Sequence, residues 1–187
     1  MWLILNKVML LTVILSVYGC SAPLMVKSMV PDMPANINKN NFSISVAKVD
    51  GGAENYLARY KSTFNEDMHG KVLQKALILA LTQSTLFKSV TTELKEKYVL
   101  KANIIFQDTD FARVGGGSLT YTLIASYLIK DRMENRTIYK NQFTSACLKR
   151  FSDAFGGGER FKLALECSVK SNLSKFIVDL NSKTLTY

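Results

Sequence analysis

Few side chains in this sequence could do chemistry. There are three thiols, Cys20, Cys147 and Cys167, and a single imidazole, His69. Four carboxylates, Asp108, Asp110, Asp131 and Glu134, stand in polar stretches read as loops. A thiol can serve as a nucleophile, a metal ligand, an acylation site or half of a disulfide. Nucleophilic work needs a base placed beside it, and zinc needs closely spaced Cys and His ligands. With one histidine and no CxxC spacing, no metal and no cofactor is expected. His69 lies three residues before Val72 and four before Leu73 on an expected helix, which makes it a boundary residue. The carboxylates could in principle form an acid/base pair, but their spacing gives that reading no support. The glycine runs "VGGGS" at 114–118 and "FGGGE" at 155–159 lack the GxxxxGK[ST] order of a phosphate-binding loop. They are read as two loops at one end of a sheet. No catalytic residue is assigned.

The thiol with the most informative surroundings is Cys20. Lys7 is followed by the apolar run "VMLLTVILSV", residues 8–17. A membrane span needs about 20 apolar residues, so this run is too short to cross. It has the length of the apolar region of a secretory signal, roughly 7–15 residues after a positive start. The run ends Val17-Tyr18-Gly19-Cys20. This resembles the lipobox of bacterial lipoprotein precursors, with an aliphatic residue three before the cysteine and a small one just before it. Tyr18 stands where a small residue is usual. The resemblance implies cleavage after residue 19 and acylation (palmitate or similar) at Cys20. The mature protein is then tethered to a membrane through its N-terminal lipid. Ser21 resembles the outer-membrane sorting class, because Asp at that position marks inner-membrane retention in enteric-type sorting. An ordinary secreted protein or a short membrane anchor, with Cys20 incidental, is the alternative.

Removing the first 19 of 187 residues leaves 168, enough for one domain with its own core. It also removes Lys7, so the formal net charge falls from +9 to +8. The cations are scattered. Such a surface suits anionic lipid, lipopolysaccharide phosphates or peptidoglycan carboxylates, and the export signal argues against a nucleic acid partner. With Cys20 lipidated, Cys147 and Cys167 remain as a pair. An oxidising periplasm permits a disulfide between them, which would stabilise by about 3 kcal/mol in the chain-entropy picture. Two reduced thiols packed as small hydrophobes are the alternative.

Residues 21–41 hold all three prolines and read as a tether, partly extended along the body. The domain proper is expected over 42–187. "FSISVAKV" at 42–49 alternates as a half-buried strand, with Phe42, Ile44 and Val46 inward. Residues 65–83 read as a helix with Asn65 as a possible N-cap and Val72, Leu73, Ala76 and Ala80 on one stripe. Residues 86–90 form a short link or edge strand. Residues 98–107 alternate with Leu100, Ala102, Ile104 and Phe106 on one face. Residues 118–129 do so with Leu119, Tyr121, Leu123, Ala125, Tyr127 and Ile129, and 136–148 with Tyr139, Phe143 and Cys147. A final helix is expected over 159–181. The fold class is α+β: a two-layer sandwich, mostly an antiparallel sheet of about four strands with two amphipathic helices on one face, ordered β-α-β-β-β-α.

The segments "YGCSAP", "VLQKALILALTQS", "YVLKANIIF" and "LTYTLIASYLIKDRMENRTIYKNQF", closed by an amphipathic helix, resemble small Gram-negative envelope lipoproteins of the YajG type. They resemble more distantly LptE and the ABC-transport auxiliary lipoproteins. The likeness spans most of the mature chain. It implies a non-catalytic outer-membrane lipoprotein, facing the periplasm, that acts as a binding or accessory subunit in envelope assembly or transport. Its partner would be a protein or an envelope glycolipid. An envelope enzyme acting on peptidoglycan or lipid, or a structural subunit of a secretion apparatus, are the rival readings.

Overall fold

The computed structural model describes residues 24–51, 67–111 and 117–183, apart from the side chains of 67–69 and 111. Its elements in chain order are a 3₁₀ turn Val26–Met29, β1 Ile44–Val46, β2 Asp50–Gly51, α1 Asp67–Ser84, β3 Val90–Thr91, β4 Tyr98–Phe111, β5 Leu119–Asp131, β6 Arg136–Lys149 and α2 Gly157–Ser182.

β5 is the clearest product of its sequence. From Leu119 to Asp131 every second residue is buried, and those between are half-buried. β-branched and aromatic residues suit such a pleated surface. β4 and β6 flank β5 in antiparallel register along its whole length, Tyr98 opposite Asp131 and Phe111 opposite Leu119 on one side, Leu119 opposite Lys149 on the other. α2 lies over β5 and β6 and buries the apolar stripe Phe161, Ala164, Leu165, Leu173, Phe176, Ile177 and Leu180. α1 buries Leu73, Ala76, Leu77, Ala80 and Leu81 in the same core. The helical layer therefore covers the face of β5 that carries Leu119 to Ile129, as expected.

The sheet is larger than expected, and it is mixed. Six strands run in the order β3-β1-β4-β5-β6, with β2 also paired to β4. β1 pairs in parallel with both β3 and β4, and β2 in parallel with β4. The reason is the helix between them. A strand that returns through a helical crossover lies parallel to the strand it left, whereas hairpins give antiparallel neighbours. β1 thus sits between two strands, and Ile44, Ser45 and Val46 are all buried. Its middle residue is not the solvent-facing position that alternation implied. The Ser45 hydroxyl donates to the Glu93 carbonyl (2.7 Å).

Two further expectations change in β4. The register slips between Ile104 and Phe106. Such a bulge lets two residues oppose one and reverses the facing of the rest of the strand. Phe106 is therefore exposed and Gln107 buried. The strand also continues through "DTDF", expected to be a loop, because β5 provides partners as far as Leu119.

The segment before β1 is docked on the body. Met29 is fully buried, and the Met25 N–H donates to Glu166 Oε1 (2.7 Å). Lys170 pairs with Asp32 (3.1 Å), and the Asn38 N–H donates to Asn181 Oδ1 (2.7 Å). The segment thus runs along α2 from its first half towards its end.

Candidate functional site

Cys147 and Cys167 form a disulfide with Cα atoms 5.9 Å apart. The bridge joins the inward face of β6, near its end, to the flank of α2. Cys20 and Asn65 lie outside the described residues. His69 is on α1, with its side chain outside them as well.

Of the four carboxylates, only Glu134 lies in a turn. Asp108 and Asp110 project from β4 and are exposed. Asp131 ends β5 and is fully buried. Asp110 is level with Thr120, and Asp131 with Tyr98, at opposite ends of the β4–β5 ladder. Eleven residues of strand separate the two levels, roughly 35 Å, so Asp108 and Asp110 cannot act with Asp131 or Glu134 on one bond. Asp131 is occupied structurally. Its Oδ1 accepts the N–H groups of Met133 (2.9 Å) and Glu134 (3.2 Å), and Oδ2 lies 3.2 Å from the Lys97 ammonium. Burial pushes this carboxyl up. The Glu134 and Met133 amides and Lys97 outweigh that effect and hold it below the usual carboxylate range.

Tyr121 and Tyr127 belong to the core. Tyr121 donates to Gln107 Oε1 (2.9 Å) and meets Phe161 edge-on. Tyr127 donates to Asn172 Oδ1 (2.8 Å), and Asn172 Nδ2 donates to the Phe143 carbonyl (2.9 Å). Ser145 and Ser168 hydroxyls lie 3.0 Å apart beside them. Burial pushes the Tyr127 phenol far above its ordinary value, so it stays a neutral donor. Farther along α2, Asp179 accepts from Tyr139 (2.7 Å) and Asn141 (3.0 Å) and pairs with Lys183 (3.0 Å). Burial opposes its ionisation, but Asn141, Tyr139 and Lys183 hold it below the ordinary range. Periodicity missed this polar seam, although Ser168 and Asn172 fill the gap between Leu165 and Leu173 in the α2 stripe.

Two surfaces stand out among the described residues. One is an open groove of about 600 Å³ between residues 28–32 and α2, with Lys170, Ser174 and Lys175 on its wall. The other is the far face of the sheet, where Thr120, Thr122, Ile124, Ser126, Leu128 and Lys130 are half-exposed and no described helix covers them. Lys175 guards the open edge of β6 by donating to the Thr144 carbonyl (2.7 Å). Among the described residues no cluster of three or more Cys, His, Asp or Glu could hold a metal ion, and no helix is long and apolar enough to cross a membrane.

No family model matches the chain, and no curated protein matches it. Solved structures do. A Xanthomonas campestris protein of the DUF330 family superposes with a TM-score of 0.60 at 14% identity, covering 82% of this chain and 90% of that one. A hypothetical protein of Chlamydia trachomatis gives 0.53 at 10% identity, covering 77% and 100%. A Helicobacter pylori homologue of a neuraminyllactose-binding hemagglutinin gives 0.50 at 10% identity, covering 80% and 91%. At these identities the likeness is one of fold. This chain shares with those bacterial proteins an α+β architecture of a mixed sheet backed by two helices.

Proposed function

We propose that this protein is an envelope lipoprotein, held at the periplasmic face of the outer membrane by acyl chains on Cys20. Its folded body acts as a non-catalytic binding or accessory module. The observation that carries the reading is the sequence Val17-Tyr18-Gly19-Cys20 directly after the apolar run. Two chains already hold a protein to a bilayer where one does not, since each buried CH₂ is worth about 0.8 kcal/mol. Ser21 favours the outer membrane. The disulfide fits an oxidising compartment.

The commitment of Asp131 to Lys97 and two amides takes one candidate carboxylate out of acid/base work, which supports the binding reading. The sheet face that no described helix covers and the groove beside α2 are the surfaces offered to a protein partner or an envelope glycolipid. The test is the intact mass of the protein extracted from membranes without reductant. The expected mass is that of residues 20–187 plus a diacylglyceryl group and a third acyl chain, less the two hydrogens of the disulfide. A mass that starts elsewhere and carries no lipid overturns the proposal.

A further inference from the structure

We infer that the end of the body formed by the β6–α2 connection rests in the interface of the bilayer that anchors Cys20, with Phe151 and Phe155 as the inserted side chains. This orientation of the body rests on the lipid anchor proposed for Cys20.

Phe155 is 80% exposed, Phe151 46%, and Leu148 beside them 48%. The two rings meet edge-on at 5.1 Å, and the Arg160 guanidinium lies 5.1 Å over Phe151. The connection is a built projection. The Arg150 N–H donates to Asp153 Oδ2 (2.7 Å), the Asp153 N–H returns to the Arg150 carbonyl (3.0 Å), and Ala154 is buried. The rings are held outward although burying either would gain about 2 kcal/mol. Lys149, Arg150, Arg160 and Lys162 neighbour them in the sequence, against Asp153 and Glu159. Aromatic side chains with basic neighbours are the composition that settles at anionic lipid interfaces.

The path of the N-terminal segment selects a membrane as the occupant. Its contacts climb α2 from Glu166, through Lys170, to Asn181. From Asn38 back to Met25 the described segment runs towards the start of α2. Cys20 stands five residues before Met25, a reach of at most about 18 Å. Glu166 lies nine residues, about 14 Å of helix, from Gly157 at the Phe151–Phe155 end. The other end of α2, at Ser182, is sixteen residues or about 24 Å from Glu166, beyond that reach while the segment stays docked. The anchor and the exposed phenylalanines therefore meet the same surface.

The experiment uses the full chain carrying Phe155→Trp. Trp2 is the sole native tryptophan and leaves with the signal, so the mature protein then carries one indole. The membrane-extracted protein, its acyl mass confirmed, is reconstituted into phosphatidylethanolamine–phosphatidylglycerol vesicles with and without brominated acyl chains. Brominated lipid should quench the emission about twofold, the response of a ring at the acyl boundary. Met133→Trp, at the opposite end and 82% exposed, should not respond. Absence of quenching at position 155 with the lipid present on Cys20 overturns the docking and leaves the anchor standing. A blue-shifted emission without quenching also overturns it, because a protein surface then covers the loop. A chain without acyl mass overturns both proposals.

Discussion

Tyr127 lies flat against Phe176, ring centroids 4.2 Å apart and planes within 10°, while its hydroxyl reaches past to Asn172. One side chain thereby joins the apolar and polar halves of the seam between β5 and α2. Tyr127→Phe keeps the stack and leaves Asn172 Oδ1 without this donor. The expected loss is about 1–2 kcal/mol, the cost of an unsatisfied buried acceptor, and Tyr127→Ala should lose about 3–5 kcal/mol. Urea denaturation of the three proteins checks both the order and the gap.

Reduction of the Cys147–Cys167 bridge, or its replacement by Cys147→Ser with Cys167→Ser, should destabilise by about 3 kcal/mol. For a domain of this size that is a fall in Tm of roughly 6–12 °C. Calorimetry with and without reductant measures it. The serine variant should show no further change when reductant is added.

Asp131 and Asp179 are both held below their unfolded value of 3.8. A carboxylate depressed in the folded state contributes stability that is complete above its unfolded pKa. That contribution is lost as the pH falls through the folded pKa. Asp131→Asn should therefore weaken the protein at pH 7 and make little difference in strong acid, once the native carboxyl is protonated. Urea midpoints followed from pH 7 down to about pH 2 should converge for the two proteins. A constant offset across that range would show that the charge of Asp131 contributes nothing.

Gly51 pairs β2 to β4 with a φ of +80°, and a Cβ there would run into the Ile104 carbonyl and the Asn103 side chain. Gly51→Ala should cost about 1–3 kcal/mol through backbone strain and the displaced strand. Hydrogen exchange at Ile104 and its neighbours should rise before that of the β5–β6 ladder.

The parts of the fold legible in the sequence are those governed by near neighbours. Leu119 to Ile129 alternate because one face of β5 is dry. The stripe Phe161 to Leu180 recurs with helical period because α2 has one buried face. What was not legible depends on partners distant in the chain. Ser45 looks solvent-facing until β3 and β4 close on both sides of β1. Phe106 continues the alternation of Leu100 to Ile104 until the bulge turns it outward. "DTDF" has weak strand propensity and becomes strand because β5 pairs with it. Asn172 and Ser168 leave only a gap in the apolar stripe, because polar residues buried in pairs carry no hydrophobic signal. Of the site residues, the Cys147–Cys167 pairing could be read from parity and compartment. The exposed Phe155, at the head of a glycine run, and Phe151, outside every motif noted, could not.

The docked N-terminal segment has a consequence for the order of assembly. Met25 binds a residue 141 positions later in the chain, and Asn38 one that is 143 later. A chain made N-terminus first must carry these residues without those contacts until α2, the last described helix, has arrived. Contacts of such long sequence separation form slowly, because a large loop must close before they stabilise anything. Residues 25–38, though made early, are thus among the last of the described residues to find their place. A truncation before Glu166 would remove all three of the arm's contacts with α2, and one after Lys170 only that of Asn38 with Asn181.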